Sequence, residues 1–241
     1  MNPSSIAEEQ RETGSDAGAM LERVRTFSNG ARTIFENAEA LYDEAQILGQ
    51  GKSFARSAAL HQISMEECAK IDMLGAHTVS ILMGHDVDDE HIGKLFRDHK
   101  VKNHANAYNA TPTPQEEEAR ARGDWAAASA AFKKFQRDFH VEVNTIKNAA
   151  LYVDFRDGQF ISPKDAVPEQ IAAALMALNA EFLQRSALFI RLLQRIEADP
   201  QKFGDACRQS GKRAEAFRQT GVFDPEAITN ELLEEMRAAY E

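Results

Sequence analysis

The stretch Lys147-Asn148-Ala149-Ala150-Leu151-Tyr152-Val153-Asp154-Phe155, closed by Arg156-Asp157-Gly158, sets an ammonium, an amide, a phenol and a carboxylate among small and apolar residues. Groups that hold charge and groups that pass protons are the means of charge stabilisation and of acid–base catalysis. A helix end that served packing alone would not need this set. The competing reading is a helix C-terminus at which Lys147 pairs with Asp154 and Tyr152 covers the core. Two more polar clusters, Glu66-Glu67-x-x-Lys70 and Arg97-Asp98-His99-Lys100, stand on other long helices. Three such clusters exceed what solubility requires.

The elements that must position these groups are helices. Residues 1–18 lack periodicity and read as a mobile tail. A first helix follows, in two parts around Ser28-Asn29-Gly30, with Ile34, Ala38, Leu41, Ala45 and Leu48 at helical spacing before Gly49-Gln50-Gly51 breaks it. The spacing predicts a second helix over Ser53–Met83, with Leu60, Ile63, Ile71 and Leu74 as its stripe and Glu67 in the middle of it. A carboxylate there needs a partner or a raised pKa. Glu67 then either orients a catalytic cation or forms a structural pair with Lys70 or a cation from another helix. Glu66 falls on the flank with Gln62, in reach of Lys70.

A third helix is expected from a cap at Asp88 or Asp89 to about Tyr108. Thr111-Pro112-Thr113-Pro114 is a loop, followed by an acidic piece over residues 115–122. The fourth helix starts at the N-cap candidate Asp124 and carries the seam Trp125, Phe132, Phe139, Val143, Ile146 and Ala150. Lys147 lies off that seam, on a stripe with His140, Asn144, Leu151 and Asp154. Asn148 and Tyr152 form the next row, which sets Lys147 and Tyr152 about 140° apart on an ideal helix. A short extended or looped piece, Gln159–Pro163, precedes a fifth helix from about Pro168 to Ala198, stopped by Asp199-Pro200. Residues 201–241 add two shorter helical patterns. With no 20–50-residue repeat, glycine-rich phosphate loop or strand-period segment, the class is all-α.

The 241 residues, 43% hydrophobic and 27% charged, suffice for one large helical domain or one domain with an appendage. The expected division is a tail over 1–18, a helical domain over 19–200 and a helical extension over 201–241. A formal net charge of −10 argues against a general nucleic-acid coat and against binding to an anionic membrane surface. Cys68 and Cys207, far apart in helical contexts, read as reduced thiols of a cytoplasmic protein. No secretory h-region or membrane span is evident. His85, His91, His99 and His104 stand near Asp86, Asp88, Asp89 and Asp98. Without Glu-x-x-His units or a His-Glu-x-x-His, they read as a solvated charged face, and no metal or cofactor is expected.

Ser64-x-Glu66-Glu67-x-x-Lys70, Phe96-Arg97-Asp98-His99-Lys100-x-Lys102, and Lys147-Asn148-x-x-Leu151-Tyr152-Val153-Asp154-Phe155-x-Asp157-Gly158 followed by Ser162-Pro163 occur in that order. This ordered set resembles the AbiV-type branch of the HEPN superfamily, the phage abortive-infection proteins, over roughly residues 30–200. The helical patterns give a bundle of about five long helices with two shorter C-terminal ones, and residues 1–20 and 201–241 lie outside the match. The resemblance implies an all-α bundle from a group rich in RNA-cleaving toxins and defence effectors, often dimeric, so that a homodimer is expected.

Catalytic members carry Arg, commonly a polar residue such as Asn, and then His after four to six intervening positions. The matching positions are Lys147, Asn148 and Tyr152. Lys keeps the charge of Arg without its bidentate fork. Tyr, with an ordinary pKa near 10, replaces the His. The site implied is Lys147, Asn148 and Tyr152, aided by Glu67, Lys70, His99 and Lys100. Arg56-x-x-x-x-His61 meets the bare spacing as well, early in the chain. The function implied is phage defence by metal-independent RNA cleavage or by blocking translation, with RNA or a phage or host protein as partner and no DNA. The alternative is a non-catalytic helical adaptor or sensor that works by protein contact.

Overall fold

The computed structural model describes residues 3–220. Nine helices and one small hairpin follow one another among them: α1 (Pro3–Gln50), α2 (Phe54–Leu82), α3 (Asp89–Arg97), α4 (His99–Tyr108), α5 (Pro114–Ala121), α6 (Trp125–Leu151), β1 (Asp154–Arg156), β2 (Gln159–Ile161), α7 (Pro163–Ala166), α8 (Glu169–Ala198) and α9 (Pro200–Thr220). The fold is all-α with a minor antiparallel pair. No helix among the described residues is long and apolar enough to cross a membrane.

Several boundaries differ from the sequence expectation. Helix α1 begins at Pro3, inside the stretch read as a tail, and runs through Ser28-Asn29-Gly30 without a break. The expected third helix is two, and the acidic piece after the Pro-rich loop is α5, capped by the Thr113 side chain with Pro114 in its first turn. The second C-terminal pattern, beyond Thr220, lies outside the described residues.

The chain forms two compact units. One takes the described residues up to Gly30, Leu74–Val87 and the chain from Ile190 onward; the other takes Ala31–Met73 and Asp88–Phe189. In the first, Arg23 donates to the Val87 carbonyl at 2.8 Å and Arg208 of α9 donates to the Leu82 carbonyl at 2.6 Å. Gly204 permits the close approach of α9, since a Cβ there would stand 3.1 Å from the Leu82 oxygen.

The second unit holds every candidate site residue. Its core gathers Ala38, Ala58, Met65, Cys68, Ala150, Leu175 and Phe182. Between Leu60 and Met73 α2 is buried almost all round: residues 61, 62, 64–66, 68, 69, 71 and 73 are buried, and the line Leu60, Ile63, Glu67 and Lys70, with Asp72, stays partly exposed. The expected apolar stripe is therefore in part the outermost line of the helix. A helix surrounded by others is apolar on most faces, so periodicity does not tell inside from outside.

Burial on all sides obliges the polar groups of α2 to find partners. Asn106 of α4 donates to the Met65 carbonyl at 2.9 Å, and Gln62 donates to Asn103 at 3.0 Å. The Ser64 hydroxyl lies 2.7 Å from the Ala38 carbonyl and 3.1 Å from Asn179 Oδ1. Asn179 donates in turn to His61 Nδ1 at 3.2 Å, and the His61 ring meets Tyr42 edge-on at 5.1 Å. Arg56 is exposed whereas His61 is fully buried, so the two do not form a pair. Five residues apart on a helix, they point about 140° away from each other.

Burial holds the His61 pKa down at about 4. A histidine depressed in the folded state contributes stability that is present above the ordinary value of 6.5 and is lost as pH falls toward 4, because only the unfolded chain takes up the proton. Between pH 6.5 and 5 this loss comes to about 1.5 kcal/mol. Urea unfolding at the two pH values is expected to show that component in the wild type and not in His61→Gln.

Candidate functional site

One residue, Asp98, makes the junction that sets up the site. It is the C-cap of α3 and the N-cap of α4, with φ −85° and ψ 107°. Its Oδ1 accepts from the Lys100 and Val101 amides at 2.8 and 3.2 Å. A capping carboxylate satisfies donors that a helix start leaves free. His99 thereby becomes the first residue of α4, and Lys102 falls one turn on, along the same face.

Both reach Glu66. The Glu66 Oε2 accepts from His99 Nδ1 at 2.5 Å and from Lys102 Nζ at 2.8 Å, while Oε1 accepts from Lys147 Nζ of α6 at 2.9 Å. The carboxylate side chain is only 3% exposed, Lys102 6%, Lys147 11% and His99 58%. Burial pushes the Glu66 carboxyl up. The bonds from Lys102, Lys147 and His99 outweigh it and hold the pKa below the ordinary value. Glu66 is therefore an anion, and an anion only accepts, so the proton between it and His99 sits on Nδ1. Lys147 Nζ lies 3.3 Å from that nitrogen as a fellow donor to the same carboxylate. The unprotonated nitrogen of the neutral ring is then Nε2, on a largely exposed side chain.

The charges do not cancel. Two ammonium groups share one carboxylate, so the cluster carries one surplus positive charge before His99 is counted. A half-buried site with surplus charge favours an anion at its open side, where His99 stands. Behind the cluster the polar seam continues from Gln62 to Asn103, and Asn103 donates to His140 Nδ1 at 3.1 Å. The His140 ring meets His104 edge-on at 5.9 Å. These bonds fix α4 against α2 and α6, the three helices that carry the four site groups.

The other sequence candidates lie apart from this cluster. Glu67 pairs with Lys70 at 2.5 Å, and the Lys70 ammonium stands 5.7 Å from the Phe96 ring centre. Glu66, not Glu67, is thus the buried carboxylate, and Lys70 goes to Glu67, not to Glu66. Lys100 is exposed, one helical step round from His99. Helix α6 stops at Leu151, and Tyr152, its C-cap, is extended at φ −120° and ψ 147° with 66% of its surface exposed. It lines a cavity of about 330 Å³ with Asn148, Thr145 and Asp154, away from Lys147. Asp154 sits in β1 and bonds Arg156 at 2.5 Å, so it is not the partner of Lys147. Phe155 pairs with Phe160 across a hairpin whose turn is Asp157-Gly158, both at positive φ (51° and 77°).

Lys102 closes the Phe96–Lys102 motif, which by itself assigns it no role. The His99-x-x-Lys102 spacing, three residues on one helix, was the available signal. No group of three or more His, Cys, Asp and Glu that could hold a metal forms among the described residues.

Comparison with known proteins bears on the same region. The HEPN_AbiV family model, described as AbiV, matches residues 26–184. The chain belongs to the AbiV family. The match runs from within α1 to within α8 and takes in Glu66, His99, Lys102 and Lys147. The uncharacterized protein y4gJ of Sinorhizobium fredii (strain NBRC 101917 / NGR234) is 35% identical over 102 residues, which is 42% of this chain and 53% of that protein. The chain thus spans about half the length of the curated relative it matches. No solved structure matches.

The depressed Glu66 pKa gives this AbiV protein a second acid-sensitive group in addition to His61. The stabilisation is complete above the ordinary carboxylate range and is lost as pH falls through the folded-state value. Glu66→Gln strands two ammonium groups, one of them 6% exposed, and is expected to lower unfolding free energy at pH 7 by roughly 3–5 kcal/mol. Glu66→Gln combined with Lys102→Met is expected to recover part of that loss in urea titrations.

Proposed function

We propose that this chain is an abortive-infection effector that cleaves RNA without a metal, and that its reaction centre is the Glu66 cluster. The observation that carries the reading is the shared carboxylate: it fixes His99 with Nε2 outward beside a surplus positive charge. In this reading Nε2 takes the proton of a ribose 2′-hydroxyl. The 2′-oxygen attacks phosphorus, the bond from phosphorus to the 5′-oxygen breaks, and a 2′,3′-cyclic phosphate forms. The leaving 5′-oxygen takes a proton from solvent. Lys147, the more exposed of the two lysines, holds the charge that builds on the non-bridging oxygens. Lys102 stays behind the carboxylate and keeps it ionised. His99 and Lys147 are the catalytic residues; Glu66 and Lys102 are positioning residues. Tyr152 has no part in this chemistry.

A second reading has a specific observation behind it. Phe155 and Phe160, 59% and 79% exposed with ring centres 4.9 Å apart, join exposed Tyr152 and Val153 at the hairpin. Such a patch suits an adaptor that works through protein contact, with a second copy of the chain or another protein as partner.

Expression in a bacterium under phage infection tests both. The wild type is expected to protect and to fragment RNA. His99→Ala and Lys147→Ala, assayed at a temperature where thermal unfolding shows both still folded, are expected to lose cleavage by roughly 10²-fold or more, and Tyr152→Phe to keep it. Protection that survives both substitutions but fails in Phe155→Ser/Phe160→Ser would overturn the nuclease in favour of the adaptor.

A further inference from the structure

The Glu66 cluster takes the first residues of α4. At the other end of that helix a cavity of about 220 Å³ opens between α4, the Pro-rich loop, α5 and α6. It is lined by residues 107, 108, 110–112, 116, 120, 132 and 135, all in the second unit. Three of them are aromatic. The Tyr108 and Phe132 rings meet edge-on, with centres 5.7 Å apart and planes at 81°, and so form two walls of a corner. Phe135, one turn further along α6, adds a third ring. The charged groups of the lining are Glu116 and Arg120.

Glu116 is the group out of place. Its side chain is 4% exposed, and burying a carboxylate is costly unless donors converge on it. Thr113-x-x-Glu116 has the spacing of a capping box, in which the carboxylate would also accept from the threonine amide. Half of the box forms: Thr113 Oγ1 accepts from the Glu116 amide at 3.2 Å, and no bond returns to the carboxylate. Glu116 Oε1 instead accepts from Arg120 Nη2 at 2.6 Å, and Oε2 takes no bond among the described residues. Arg120, four residues on along the same helix, is 49% exposed. A pair of that kind is worth little, so another cation can take its place. A carboxylate oxygen with acceptor capacity left, beside three aromatic rings, suits a cation whose charge is spread over an apolar surface. A primary ammonium or a guanidinium would bring several N–H donors to one free carboxylate oxygen and strand some of them. A quaternary ammonium has no donor to strand. The volume lies below that of sites for larger organic ligands and admits such a head group.

We infer that this cavity binds a small quaternary ammonium compound, its head among Tyr108, Phe132 and Phe135 and against Glu116 Oε2, with Arg120 displaced to solvent. The inference is independent of RNA cleavage at Glu66. Titration of the full chain with choline, followed by the choline methyl proton signal, tests it. Ethanolamine, arginine amide and dimethylbutanol (the neutral analogue with carbon in place of the quaternary nitrogen) run beside it. Choline is expected to bind the wild type, and each of the other three at least about tenfold more weakly. Glu116→Gln is expected to weaken choline binding about tenfold, and Tyr108→Ala at least about threefold. Tyr108 is 73% exposed, so its substitution is expected to leave the unfolding midpoint unchanged. Arg120→Ala is expected to bind choline at least as tightly as wild type, because a competing cation is gone. Should Glu116→Gln unfold, Tyr108→Ala and Arg120→Ala decide. The inference is overturned if wild type binds no choline, if dimethylbutanol or arginine amide binds as tightly, if folded Glu116→Gln or Tyr108→Ala binds choline as well as wild type, or if Arg120→Ala loses it.

Discussion

A buried carboxylate that must stay charged governs the second unit. Glu66 is inaccessible, and an isolated anion in such a place would take up a proton or unfold its surroundings. It stays an anion because three donors converge on its two oxygens from two other helices. That need explains much that is otherwise odd about α4. A ten-residue helix with Lys102, Asn103 and Asn106 all buried would be a poor choice for a packing element. Against α2 each of those side chains answers a polar group that the central helix cannot expose. The position of α4 is set by hydrogen bonds and charge more than by apolar fit.

The same arrangement separates two jobs within one cluster. Lys102, deep and fixed, balances Glu66; Lys147 and His99, nearer solvent, are the groups that the proposed reaction uses. A lone Lys–Glu pair would be neutral and inert. The third and fourth members give the group surplus charge and a ring whose tautomer is decided by its neighbour. Structural pairing and chemical readiness are here two ends of one hydrogen-bonded set.

How much of this could be read from the residues depended on whether the signal was local. Caps and breaks were: Asp88, Asp124, the Thr111–Pro114 loop and Asp199-Pro200 all mark element ends in the structure, because each acts through its own backbone. The family was legible too, since ordered short motifs survive as text. Faces were not. Glu66 and Glu67 are adjacent, and which of them is buried depends on how many helices surround α2, which no window of sequence contains. The end of α6 was misplaced for a different reason. Asp157-Gly158 between Phe155 and Phe160 is a strong hairpin signal, and its strands take Asp154 out of the helix. Weighing that turn above the helical repeat would have stopped the helix before Tyr152 and separated it from Lys147.

The break at Asp98 has an evolutionary corollary. In an uninterrupted helix, adding or losing one residue rotates everything downstream by about 100°. Here α4 starts afresh from a cap on its own first residues, so changes of length in α3 or in the loop before it need not turn His99 and Lys102 away from Glu66. The stretch before Asp98 is thus free to drift in length among descendants of this chain, while the spacing from Asp98 through Lys102 is held.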